Sequence, residues 1–214
     1  MYLYERPSAP PRMVLPDGRS RWSHLCGLEG PRAGTLVLYV TPPNAEDKRN
    51  KRVWGFAAPE GRREYEKALH KHLVAQSLVP DKGTTYEPMT SSADIAARAS
   101  NAFEDLVLIV HSAHNGPAIG VDLAAADWLK DDKVGTVLAP LAFNTVTILG
   151  CDAVENKFAP RLAARLPKGS TVVAHKGGAF VISRHFEPSK TKPGWMSLTR
   201  VSSNFTLKSF KGGQ

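Results

Sequence analysis

Twice in this chain, a side chain able to do nucleophilic or acid–base chemistry stands directly behind a hydrophobic run. Leu106-Val107-Leu108-Ile109-Val110 leads into His111-Ser112-Ala113-His114-Asn115-Gly116, and Val146-Thr147-Ile148-Leu149-Gly150 leads into Cys151-Asp152. A thiol, with an ordinary pKa of about 8.5, is a weak nucleophile until a neighbouring imidazole accepts its proton. The same imidazole can then protonate a leaving amine, so a histidine and a cysteine that meet make a dyad for acyl transfer. Such chemistry also needs backbone N–H donors near the developing oxyanion. Asn115 and Gly116 behind the histidine, and Gly150 before the cysteine, allow the close backbone approach this requires.

The elements that must position these groups follow from the runs themselves. Aliphatic and β-branched stretches of about five residues, bounded by small or turn-forming residues, fit strands buried on both faces. In an open α/β sheet the carboxyl ends of such strands form the rim where ligands bind, so His114 and Cys151 are expected to converge on one crevice. Gly34 to Val40 reads as a first strand, stopped at Thr41-Pro42-Pro43. Glu60 to Ser77 reads as a long helix, with Tyr65, Leu69, Leu73 and Val74 at helical spacing. A second helix follows the cap-like Thr90-Ser91-Ser92-Ala93-Asp94. Leu123 to Lys130 is a short helical candidate, Phe158 to Leu166 a further helix, and Ser170 to Ala174 another core strand. The tail from Trp195 to Phe210, interrupted at Ser202-Ser203-Asn204, is expected to form a hairpin. This alternation specifies an α/β three-layer sandwich around a mainly parallel central sheet. Residues 1–33, rich in proline and glycine, read as an extended arm, and 34–214 as the domain.

At the two strand ends the sequence resembles a known family. Strand, Ser-Ala-His-Asn-Gly, helix, strand, Leu-Gly-Cys-Asp-Ala, helix and a Thr-Val-Val-Ala strand together resemble the caspase-like cysteine peptidases, most of all their CHAT-domain branch. In that family the histidine closes a Ser-Gly-His-Gly-like turn and the cysteine a Ser/Asn-Ala-Cys-like turn. The resemblance implies His114 as the catalytic base and Cys151 as the nucleophile, with Ser112 matching the serine of the first turn. Ala113 and Asn115 stand where the family more commonly has glycine. It further implies a cysteine endopeptidase that acts on protein or peptide substrates and needs neither metal nor organic cofactor. Because such peptidases commonly set an acidic group against a basic P1 side chain, Asp152 is a candidate pocket wall and Asp122 a second one. Asp152 has a competing reading as a cap for the helix that follows. CHAT-like proteins commonly carry a repeat or sensor module; this chain has no internal repeat, so regulation is expected from a partner protein, the arm or a basic patch.

The remaining histidines and cysteine are read more plainly. His111 lies nearer the strand than His114 and is expected to hydrogen-bond backbone at the sheet edge. His175 behind the last core strand is read as a surface residue, with the rim of the cleft as the second reading. His70 and His72 fall on different faces of one helix and make no metal site. Cys26 lies in the Gly/Pro-rich leader, away from any strand end. Two cysteines in a chain of 214 residues are expected to be thiols in a reducing compartment.

A formal charge of +8 raises nucleic acid or an acidic partner where the charges cluster. They do so at Lys48-Arg49-Asn50-Lys51-Arg52 and, more thinly, at Lys190, Lys192, Lys208 and Lys211. Solvated loops account for both stretches most simply. The alternative to the peptidase is therefore a catalytically silent caspase-like module that binds a protein or nucleic acid through these stretches. No run approaches the roughly 20 apolar residues that cross a bilayer, and the amino terminus has no apolar run behind a basic start. The chain is expected to be cytoplasmic and to have no membrane partner.

Overall fold

Leu106, Val107, Leu108 and Ile109 are all buried, and so are Val146, Ile148 and Leu149. A strand with no solvent-facing side belongs in the middle of a sheet covered on both faces. The computed structural model describes residues 32–41, 52–53, 59–113, 115–120, 125–177, 182–204 and 206–213. In it these runs are β4 (Asp105–Ile109) and β8 (Thr145–Leu149), paired in parallel with Ile109 opposite Leu149. Beyond β4 lie β1 (Thr35–Val40) and then β3 (Thr84–Met89), both parallel to it. On the other side β9 (Thr171–Lys176) is parallel to β8, and β12 (Thr206–Lys211) closes the sheet as an antiparallel edge. The order is β12-β9-β8-β4-β1-β3.

The chain winds from β1 to β3 at one edge, then returns past β1 to β4 and continues outward in the other direction. That reversal is a topological switch point, where loops leaving two neighbouring strand ends diverge and open a crevice. Helix α1 (Pro59–Ala75) buries Tyr65, Leu69 and Leu73 on one sheet face against Val37, Tyr39, Val107, Ile109 and Leu149. Helices α2 (Ala93–Arg98), α3 (Asp131–Leu138) and α4 (Phe158–Arg165) cover the other face, where Ile95, Leu138 and Leu162 meet Leu38, Leu108 and Ile148. The result is an α/β architecture with a six-stranded, mostly parallel sheet and apolar clusters on both faces. Two small sheets complete it: β10 (Ile182–Pro188), β11 (Trp195–Ser203) and β2 (Arg52–Val53), and β5 (His111–Ala113), β6 (Gly116–Ile119) and β7 (Asp127–Trp128). The chain divides into two units, 1–32 and 33–214; all of the first except Arg32 lies outside the described residues.

Two expectations change, and one strand is added. Of the helix expected over Leu123 to Lys130, the described part, 125–130, is not helical: Asp127 and Trp128 pair with Ile119 and Ala118 as a strand, and a helix starts at Asp131. Asp131 and Asp132 favour a helix start through the dipole, while buried Ala118 and Ile119 need a strand partner. The tail forms no hairpin. β11 pairs with β10 and β2, whereas β12 crosses to the open edge of β9, where Leu207 and Phe210 reach the apolar clusters on opposite faces. β3, with a proline in its sequence, went unread as a strand; Pro88 is tolerated because β3 is the other edge of the sheet.

Candidate active site

β4 and β8 run side by side to the carboxyl edge, and one more backbone bond extends the pairing past the strands. Val110 N–H donates to the Leu149 carbonyl at 3.0 Å. The two chains then separate. After Val110 the backbone becomes β5, which folds back on β6 with Ala113 opposite Gly116. Gly116 is buried with φ +121, a conformation that only glycine adopts cheaply, so the flexibility expected of this position is used. After Gly150 the chain enters a run of turns over 151–157 before α4 begins.

Gly150 is where the two turns touch. A Cβ there would stand 3.0 Å from the Val110 carbonyl oxygen and 3.2 Å from Cβ of Ser112. The absence of a side chain thus lets the cysteine-bearing backbone lie directly against the histidine-bearing one. Cys151 follows as a half-buried thiol. Asp152 is half-buried at φ +51, a left-handed conformation that aspartate tolerates better than most residues.

Two side chains of the turn fasten it to its neighbours. Asn156 donates from its backbone N–H to the Asp152 carbonyl (2.9 Å) and from Nδ2 to Oγ of buried Ser112 (3.3 Å). Its Oδ1 accepts from the Phe158 N–H (2.9 Å), satisfying an orphan donor of α4. Glu155 Oε1 accepts from the Gly177 N–H, and the Gly177 carbonyl accepts from the Asp152 N–H, both at 3.1 Å. The thiol turn is therefore bonded to the ends of both strands flanking β8: through Ser112 on the β4 side and through Gly177 past β9. Neither Glu155 nor Asn156 was singled out from sequence. An Asn two residues before a helical run is a readable capping signal, whereas its bond to Ser112 is not.

The structure brings Gly150, Cys151, Asp152 and Ser112 to one place at the carboxyl edge. His114 and Asp122 lie outside the described residues, as do Cys26 and residues 48–51 of the basic stretch; the backbone of Arg52 pairs with Trp195 in β11. Asn115 is exposed beyond the end of β5. His111 opens β5 with its ring exposed and hydrogen-bonded to no other residue, rather than to backbone. Partial desolvation still holds its pKa below the ordinary 6.5. His175, read as a surface residue, is instead buried on β9, its Nε2 3.5 Å from where a Cβ on Gly177 would stand. His70 bonds Tyr86 and the Asp81 carbonyl while His72 bonds Ser203, so the two point apart. Among the described residues no group of three or more His, Cys, Asp or Glu could hold a metal ion, and no helix is long and apolar enough to cross a membrane. No protein-family model matches the chain, and no curated protein matches it in sequence.

Proposed function

We propose that the chain is a caspase-like cysteine endopeptidase in which Cys151 is the nucleophile and His114 the general base and acid. The observation that carries this reading is the contact of Gly150 with Val110 and Ser112. It holds the thiol turn against the start of β5, two residues before His114 in the chain, at the carboxyl edge of adjacent parallel strands and next to the switch point between β1 and β4. The doubly wound sheet with one antiparallel edge strand supports the same reading at the level of architecture.

The reaction runs in two halves. His114 takes the thiol proton and the Cys151 thiolate attacks the peptide carbonyl carbon, giving a tetrahedral oxyanion. Backbone N–H groups near Gly150 and the Asn115-Gly116 turn are the candidate donors to that oxygen. Collapse breaks the C–N bond, the amine leaves with the proton from His114, and the acyl group remains on sulfur as a thioester. Water, deprotonated by His114, then hydrolyses the thioester and restores the thiol.

A preference for Lys or Arg at P1 rests on Asp152. Among the described residues its carboxylate has no hydrogen-bond or ion-pair partner, and α4 starts six residues later with Asn156 satisfying its first turn. The carboxylate is thereby left available to a cationic side chain beside the thiol. A panel of fluorogenic peptides with basic, acidic and apolar P1 residues tests both parts. Cys151→Ala is expected to abolish turnover, and Asp152→Asn to lower kcat/KM for basic P1 peptides selectively. Hydrolysis that survives Cys151→Ala ends the peptidase reading.

A further inference from the structure

We propose that the exposed face of α1 is a docking surface for the phosphate backbone of duplex nucleic acid, carried by Arg63, Lys67 and Lys71. This is independent of the thiol chemistry. The three residues follow one another at i, i+4 and i+8, and all three are exposed. At 1.5 Å of rise per residue they form a line of positive charge with a spacing of about 6 Å.

The acids that ordinarily neutralise such a line are turned away from it. Glu64 Oε2 accepts from the Leu198 N–H of β11 (3.3 Å), and Glu66 Oε1 accepts from the buried Tyr39 hydroxyl (2.7 Å). Glu60, at the amino end, is the remaining acid of the helix itself. Among the described residues, Arg63, Lys67 and Lys71 have no side-chain hydrogen-bond or ion-pair partner. Like charges four residues apart weaken a helix. The stripe is thus a cost to the fold that an external polyanion relieves.

The surroundings of the stripe select the polyanion. A membrane-surface helix presents apolar side chains to the lipid, but Tyr65, Leu69 and Leu73 of α1 are buried against the sheet. A protein interface is anchored by apolar and aromatic groups at its centre, and the exposed positions between Arg63 and Lys71 hold none. Single-stranded nucleic acid is held by stacking on aromatic platforms, and among the described residues the exposed positions of α1 hold no aromatic side chain. A duplex needs neither: its phosphates face outward at fixed spacing, and basic side chains bind them without reading bases.

The test is fluorescence anisotropy of a labelled, mixed-sequence DNA duplex titrated with the full chain over a range of salt. Three phosphate contacts contribute about −2.7 to the slope of log K against log salt, equivalent to about 40-fold weaker binding between about 50 and about 200 mM. Arg63→Gln, Lys67→Gln and Lys71→Gln together are expected to make that slope shallower by about 2.7, while the charge-keeping set Arg63→Lys, Lys67→Arg and Lys71→Arg retains it. Neutralisation removes like-charge repulsion, so the glutamine variant is expected to melt no lower than the parent. An unchanged slope in that variant overturns the proposal, since other basic groups then carry the contact. So does the absence of salt-sensitive duplex binding, tighter binding of a single strand of the same length, or stripe-dependent binding of phosphatidylserine vesicles in place of the duplex.

Discussion

Gly150 and Ser112 stand on separate strand ends, yet a side-chain carbon on the first would lie 3.2 Å from Cβ of the second. This approach makes the thiol turn and the histidine-bearing hairpin one unit. It also makes a side chain at Gly150 costly, because the nearest atom is a backbone oxygen, at 3.0 Å, that would have to shift. Gly150→Ala is expected to cost about 1–3 kcal/mol as an overpacked core position and to displace Cys151. A urea-denaturation midpoint equal to that of the parent chain contradicts this account of the contact.

Asn156 bonds the Asp152 carbonyl through its backbone, and its side chain bonds both Ser112 and the Phe158 N–H. Asn156→Ala removes the acceptor for the Phe158 N–H and the donor to Ser112, and an expected loss of about 1–2 kcal/mol follows. Asn156→Asp keeps the acceptor and lets the Ser112 hydroxyl donate instead, so most of that stability is retained. Equal destabilisation by the two substitutions shows that the side-chain bonds are not what matters.

His72 makes the stability of the α1–β11 contact depend on pH. Its Nε2 bonds Oγ of Ser203 on β11 at 2.6 Å, and burial lowers its pKa from the ordinary 6.5. Below that value the unfolded chain binds a proton that the folded ring resists, so stability falls as pH drops from 6.5 towards the folded value. His72→Gln removes this titration, and the decline of the urea midpoint over that range is expected to become shallower. Among the described residues His111, whose pKa is lowered in the same direction, adds to the decline that remains.

Asp131 opens α3 and accepts from Nε of both Arg161 and Arg165 on α4, each at 2.9 Å. Desolvation pushes its carboxyl up, but the bonds and charges of the two arginines outweigh this and leave its pKa below the ordinary 3.8. Its stabilising contribution is therefore present above 3.8 and lost as pH falls through the lower, folded value. Both guanidinium groups are about half exposed, which limits the contribution to less than about 1 kcal/mol and makes it sensitive to salt. Asp131→Asn is expected to destabilise by that amount at neutral pH and by progressively less in acid. A difference that persists unchanged at the lowest pH argues against ionisation as its origin.

What was legible in the sequence was local. An unbroken aliphatic run reports that both faces of a strand will be covered, and β1, β4, β8 and β9 lie close to where their runs placed them. Helical spacing located α1 and α4 within one or two residues of their ends. Where the signal was weak, the reading followed the nearest neighbour in sequence and erred. The short alternating segments of the tail suggested a hairpin, and the mixed residues before Asp131 suggested a helix.

The sequence by itself determined which segments must be buried and that a histidine-bearing and a cysteine-bearing segment each leave a buried strand. Periodicity records only how a segment is covered, so this much required no partner. Tertiary structure alone decided that those strands are neighbours, that β12 pairs with β9 rather than β11, and that Asn156 reaches Ser112. It also decided that Glu64 and Glu66 turn inward, leaving the basic face of α1 uncompensated. These are choices among partners distant in the chain, made by which open edge, apolar face or unpaired donor remains after the core has closed.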